Sequence, residues 1–262
     1  MSSEEKKVSE SRNNTPSQEM TTSGTANWPP SILRLVAGAM IAAAISFVVL
    51  KTMYPIFVLP EDIAKVPEQA PIEVYQKHDK AQYEADGKNY SIVFGIAGAV
   101  FGVCSVLFTF GPKSIKALSV AFICAGGFGA VGAFLSNWMF NNMRATSGRN
   151  AKLMGIPMDS MTQSIVGYSL VWSFIGLGVG LGIGAARGFS KSLVAGISGF
   201  VGGALAAMLY VIFTAQFFIR TTMNQVIPNG DVSQAIWLVL FAVVIAACIA
   251  LGSGEKRKKD SV

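Results

Sequence analysis

The chain has 262 residues, 52% of them hydrophobic and only 14% charged, with a formal net charge of +6. Soluble domains carry about a quarter charged residues. Here the charges gather in the first 34 residues, in 51–88, in short joints and in the last eight residues. The uncharged runs between them are long enough to cross roughly 30 Å of hydrocarbon as helices. They are too long, and too uniformly apolar, for the strands of a membrane barrel.

In chain order, residues 1–30 form a polar tail rich in Ser, Thr, Asn and Glu. Such a composition cannot bury enough apolar surface to offset the entropy of ordering it. It predicts a disordered cytoplasmic tail. The first span is expected at about 32–50 and reads as an uncleaved anchor. Its polar lead is far longer than the n-region of a secretion signal. The loop 55–90 follows, with Pro55, Pro60, Pro67 and Pro71 in its first half. Its second half predicts a short surface helix anchored by Tyr75 and Tyr83. The lone histidine, His78, has no second His or Cys beside it and reads as solvated.

Further spans are expected at about 91–110, 117–140, 164–186, 193–219 and 235–252. The chain is thus predicted to be all-α: a polytopic transmembrane bundle of six spans over 31–253, followed by a basic tail at 254–262. Two very short joints, Gly111–Lys116 and Arg187–Ser192, each carry two positive charges. Short basic joints face the cytoplasm, so both termini are expected there, in a plasma or inner membrane. Cys104, Cys124 and Cys248 all fall within spans. None forms C-x-x-C, and they read as small packers.

An internal repeat is visible. At an offset of 78, Ser91, Val93, Gly98 and Gly102 meet Ser169, Val171, Gly176 and Gly180, and Lys113-Ser114 meets Lys191-Ser192. At an offset of 74, Ala121, Ala125, Gly129 and Ala133 meet Ala195, Gly199, Gly203 and Ala207. The change of four is about one helical turn. Residues 91–140 and 164–219 therefore read as two copies of one glycine-rich hairpin. The copies enter from the same side, which predicts a pseudo-twofold axis along the membrane normal.

Residues 176–188 read GLGVGLGIGAARG, and Gly180–Ala185 matches the relaxed dinucleotide pattern G-x-G-x-x-A. That pattern needs a strand before it and a helix opening after it. Here it lies near the end of an apolar run. The helical reading accounts for more, since Gly176, Gly180 and Gly184 recur every four residues, on one helix face. In lipid, helices associate by close backbone approach, which small residues permit. The residues expected to pack helices are Gly98, Gly102, Gly129, Gly176, Gly180, Gly184, Gly199 and Gly203. Spans two to five are expected to form a four-helix core with glycine rows inward and bulky residues toward lipid. Spans one and six are expected at the periphery.

Function is less legible. No ionisable residue lies at mid-depth, where pumps and transporters usually place one. Asn137 and Gln216, near the outer ends of the third and fifth spans, could line a vestibule. Met139, Met143, Met154, Met158 and Met161 could attract copper(I). With no His or Cys among them they read as gap fillers, so no metal or cofactor is expected. There is no nucleophile–base pair, H-E-x-x-H or buried acidic dyad, so no enzyme is expected. The expected role is a non-enzymatic scaffold or assembly component. Its partners would be the lipid bilayer and a second copy or another membrane protein, not nucleic acid. The alternative is a channel or facilitator for a small solute between the two hairpins.

Overall fold

A computed structural model describes residues 30–65, 67, 70–154, 160–217, 226–228 and 230–253. The polar tail up to residue 29, the basic tail at 254–262 and Met158 lie outside the described residues. So does the side chain of Met154. Among the described residues all regular structure is helical: α1 (Pro30–Met53), α2 (Glu61–Ala64), α3 (Ile72–Phe110), α4 (Ile115–Met154), α5 (Ser160–Ala185), α6 (Phe189–Phe217) and α7 (Asp231–Gly252). Six of these, all but α2, contain stretches long and apolar enough to cross a membrane. The chain therefore has the architecture of a helical integral membrane protein.

Two helices exceed the expected spans. α3 has 39 residues and α4 has 40, each about 60 Å at 1.5 Å per residue. The surface helix predicted within 55–90 is fused to the second span. The reason is local. Glu, Gln, Lys and Ala dominate residues 73–86, and Gln82 Nε2 donates to Asp86 Oδ1 one turn on, at 2.9 Å. Before the apolar run only Gly87 weakens the helix, at a cost of roughly 1 kcal/mol. What ends α3 is Gly111. Its φ of +76° is open to glycine and rarely to other residues, its N–H donates to Leu107 O at 2.8 Å, and Pro112 follows.

The helices pack in a closed circuit: α3 on α4, α4 on α5, α5 on α6, α6 on α7, α7 on α1, and α1 back on α3. α5 also meets α3 and α7 across it. This makes α5 the most buried of the six long helices and α4 the least.

The centre differs from the expected glycine-lined core. It is filled by aromatic rings. Trp172 of α5 stacks on Phe241 of α7 with ring centroids 4.6 Å apart. Trp237 of α7 meets Trp172 edge-on at 5.2 Å. Phe94 and Phe101 of α3 close on Trp172 edge-on, and Tyr168 meets Tyr210 of α6 at 5.5 Å. Such edge-to-face contacts set the positive ring edge against the negative face. The sixth span is therefore not peripheral, since Trp237 and Phe241 are fully buried. A circuit of six helices leaves a middle too wide for glycine and alanine to close, so large flat rings fill it. The arrangement also departs from a twofold axis. Such an axis would pack α6 on α3 as α5 packs on α4, but α6 packs on α5 and α7.

Polar contacts tie the ends together. Lys51 at the end of α1 pairs with Asp231 at the start of α7. At the opposite end the Arg187 guanidinium lies 5.3 Å over the Phe110 ring and donates to Ser253 O at 3.3 Å, joining α3 and α7 to the α5–α6 joint.

Candidate functional site

Most of the described helical glycines occupy the seams between neighbouring helices. On α5 two rows alternate. Successive residues turn by about 100°, so positions two apart point nearly opposite ways. Gly176, Gly180 and Gly184 face α6, where an added Cβ would collide with Gly199 O, Ala195 O and the Ser192 backbone. Gly178 and Gly182 face α4, where it would meet the Ala125 backbone and Ala121. The same two alanines meet α3 on their other side. A Cβ on Gly98 would strike Ala125 O, and one on Gly102 would lie 2.6 Å from Ala121 O. Helix α4 is thus threaded between glycines of α3 and α5 that have no room for a methyl group of their own.

The contacts recur from hairpin to hairpin. Gly98 on Ala125, Gly102 on Ala121 and Gly129 on the Phe94 carbonyl belong to α3–α4. Gly176 on Gly199, Gly180 on Ala195 and Gly203 on the Trp172 carbonyl belong to α5–α6. Each contact of the second set follows from the first by adding 78 on one helix and 74 on the other.

Of the two vestibule candidates, Asn137 is buried and donates through Nδ2 to Tyr83 O at 3.1 Å. Gln216 is exposed on α6. Asn137 shares a cavity of about 470 Å³ with Phe57, Tyr83, Glu84, Gly87, Lys88, Ser91, Ile92 and Phe134, and Gln216 does not line it.

This cavity is the mouth of a longer groove, which the sequence did not reveal. Asn89, buried on α3, clamps the strand of chain leaving α1. Its Oδ1 accepts from Ile56 N and Phe57 N at 3.0 and 2.7 Å, and its Nδ2 donates to Phe57 O at 2.9 Å. The clamp fixes Phe57, and the Lys88 ammonium lies 5.8 Å over its ring. Tyr54, on the same segment, stacks on Tyr90 at 6.0 Å. Burial is the main cause that raises the Tyr54 phenol above its ordinary value of 10.0. Below the mouth, sharing Ser91 and Ile92 with it, runs a trough of about 970 Å³. Its floor is α3 from Ser91 to Cys104, and its walls are Ile45 of α1 and Phe122, Ile123, Gly126, Gly127 and Ala130 of α4. The lining is almost wholly apolar. The trough opens where these spans would meet lipid.

No group of three or more His, Cys, Asp and Glu is placed to hold a metal among the described residues. The three cysteines are free thiols. No protein-family model, curated protein or solved structure matches the chain.

Proposed function

We propose that this chain is a non-enzymatic membrane scaffold, a rigid glycine-seamed bundle that serves as an assembly component with a second copy or another membrane protein. The observation that carries this is the closed centre. Trp172, Trp237 and Phe241 pack ring against ring in the middle of the helix circuit, the space that a central solute path would need. An interior void beside them, toward the α3–α4 joint, measures about 10 Å³ and is lined by apolar residues and Ser105. That is room for at most one water. Among the described residues none that is buried carries a charge. The facilitator alternative needs a polar route between the hairpins, and these features weigh against it.

The bundle is built as a duplicated glycine-rich hairpin. The three paired contacts related by 78 and 74 residues support this, as do the positive-φ glycines, Gly111 and Gly188, that turn each joint. Gly98, Gly102, Gly129, Gly176, Gly180, Gly184, Gly199 and Gly203 are its packing residues. The basic joints and both termini lie in the cytoplasm, and the mouth around Asn89 and Lys88 lies outside. The host membrane is the plasma or inner membrane.

The test is reconstitution of the full chain in vesicles. Scaffold function predicts vesicles that stay tight to ions and small neutral solutes, and a defined oligomer or a co-purified membrane protein after cross-linking in native membrane. Solute flux that disappears in a folded Gly180→Leu variant would overturn the scaffold in favour of the facilitator.

A further inference from the structure

We propose that the groove on α3 is a binding site for one phospholipid molecule whose headgroup carries both a phosphate and a primary ammonium. Its acyl portion lies in the trough and its headgroup sits in the mouth.

The two ends of the groove differ chemically in the way the two ends of a lipid do. The floor from Ser91 to Cys104 spans 13 residue steps, about 20 Å at 1.5 Å each. One leaflet of hydrocarbon is about 15 Å deep. The trough therefore begins at the interface and reaches past mid-depth, the path of an extended acyl chain.

The charges at the mouth set the headgroup. Glu84 and Lys88 are four residues apart and so share one helix face. Both are exposed, and among the described residues neither is in an ion pair. Lys88 instead rests over Phe57, which the Asn89 clamp holds in place. A phosphate beside Lys88 and an ammonium beside Glu84 would each form a charge-assisted hydrogen bond. The trough by itself supplies little discrimination, because lipid tails are as apolar as its walls. Selectivity therefore rests on the mouth and on shape.

The experiment is native mass spectrometry of the full-length protein, delipidated in detergent and titrated with phosphatidylethanolamine, phosphatidylglycerol or phosphatidylcholine. The expected result is one bound phosphatidylethanolamine, favoured at least about tenfold over phosphatidylglycerol. Lys88→Glu removes the bound lipid, and Glu84→Lys shifts the preference to phosphatidylglycerol. Gly127→Trp blocks the trough. A Cβ at Gly127 meets nothing within 4 Å, so the helix backbone accepts a side chain there; the variant loses the lipid, and a melting temperature matching wild type shows that the loss is not one of fold. Equal retention of all three lipids, or retention undiminished in Gly127→Trp, would overturn the proposal. So would a dimer that takes the place of the lipid adduct and dissolves in Gly127→Trp, because the occupant is then a second copy. None of these outcomes depends on whether reconstituted vesicles are tight, so this site and the scaffold function fail separately.

Discussion

The carbonyl of Gly199 on α6 occupies the place where a side chain on Gly176 of α5 would begin, and the carbonyl of Gly176 does the same to Gly199. The two backbones thus meet with no side chain between them. In lipid, where apolar burial does not drive helices together, such contact is a main source of cohesion.

Substitution at this seam is therefore expected to be costly in proportion to size. Gly176→Leu or Gly180→Leu should destabilise the protein by about 1–3 kcal/mol or more through overpacking, read as a fall in melting temperature in detergent. Gly127→Ala is the control. It adds a methyl group to open space and improves helix propensity by up to about 1 kcal/mol, so its melting temperature should hold or rise. Equal behaviour of Gly180→Leu and Gly127→Ala would refute a tight α5–α6 seam.

Removing a central ring tests the aromatic middle. Trp237→Ala leaves a large void beside Trp172, Phe94 and Phe241. The expected loss is about 3–5 kcal/mol, measured by thermal or denaturant unfolding in detergent. A loss below about 1 kcal/mol would mean that the last span is peripheral after all.

Asn89→Ala deletes three hydrogen bonds of 2.7–3.0 Å that hold the chain after α1 to α3. With the amides of Ile56 and Phe57 released, the stability loss should be about 1–3 kcal/mol. Hydrogen exchange should speed up at those two amides first. Unchanged protection there would show that the clamp does not hold the segment.

Tyr54 makes a pH prediction. Its phenol is raised above 10.0 in the folded protein, chiefly by burial. The folded state therefore holds the proton to higher pH than the unfolded state does. The resulting stability is complete below pH 10 and is lost as pH climbs through the raised value. Melting temperature against pH should fall less steeply above pH 10 in Tyr54→Phe than in wild type. Superimposable slopes would rule Tyr54 out as a contributor.

Orientation can be read chemically. In a background lacking Cys104, Cys124 and Cys248, single cysteines at Ser114 and Ser190 should react with an impermeant maleimide only from the cytoplasmic side. A cysteine at Glu84 should react only from outside. Labelling of all three from one side would contradict the proposed topology.

The glycine spacing in 176–188 was legible because a helix repeats every 3.6 residues, which turns a linear pattern into faces. Alternate glycines had to serve opposite neighbours, and Gly176 and Gly178 do so with α6 and α4. The aromatic centre was not legible. Phe94, Trp172 and Trp237 have the size and apolarity of lipid-facing residues, and only the closing of the helix circuit turns them inward. The mouth was half legible. Asn137 stood out as a polar residue within a span, while Asn89 and Lys88 were hidden by the expectation that the loop ended before the helix began.

The sequence alone determined the medium and the local geometry: hydrocarbon-length apolar runs must be helices in a bilayer, because no water is there to satisfy an open backbone. It also determined which helix faces can approach closely, since the absence of a side chain is a local property. Tertiary structure decided what lies in the middle and what lies along α3. Both depend on which helix stands beside which, and apolar residues carry no mark that distinguishes a protein neighbour from a lipid.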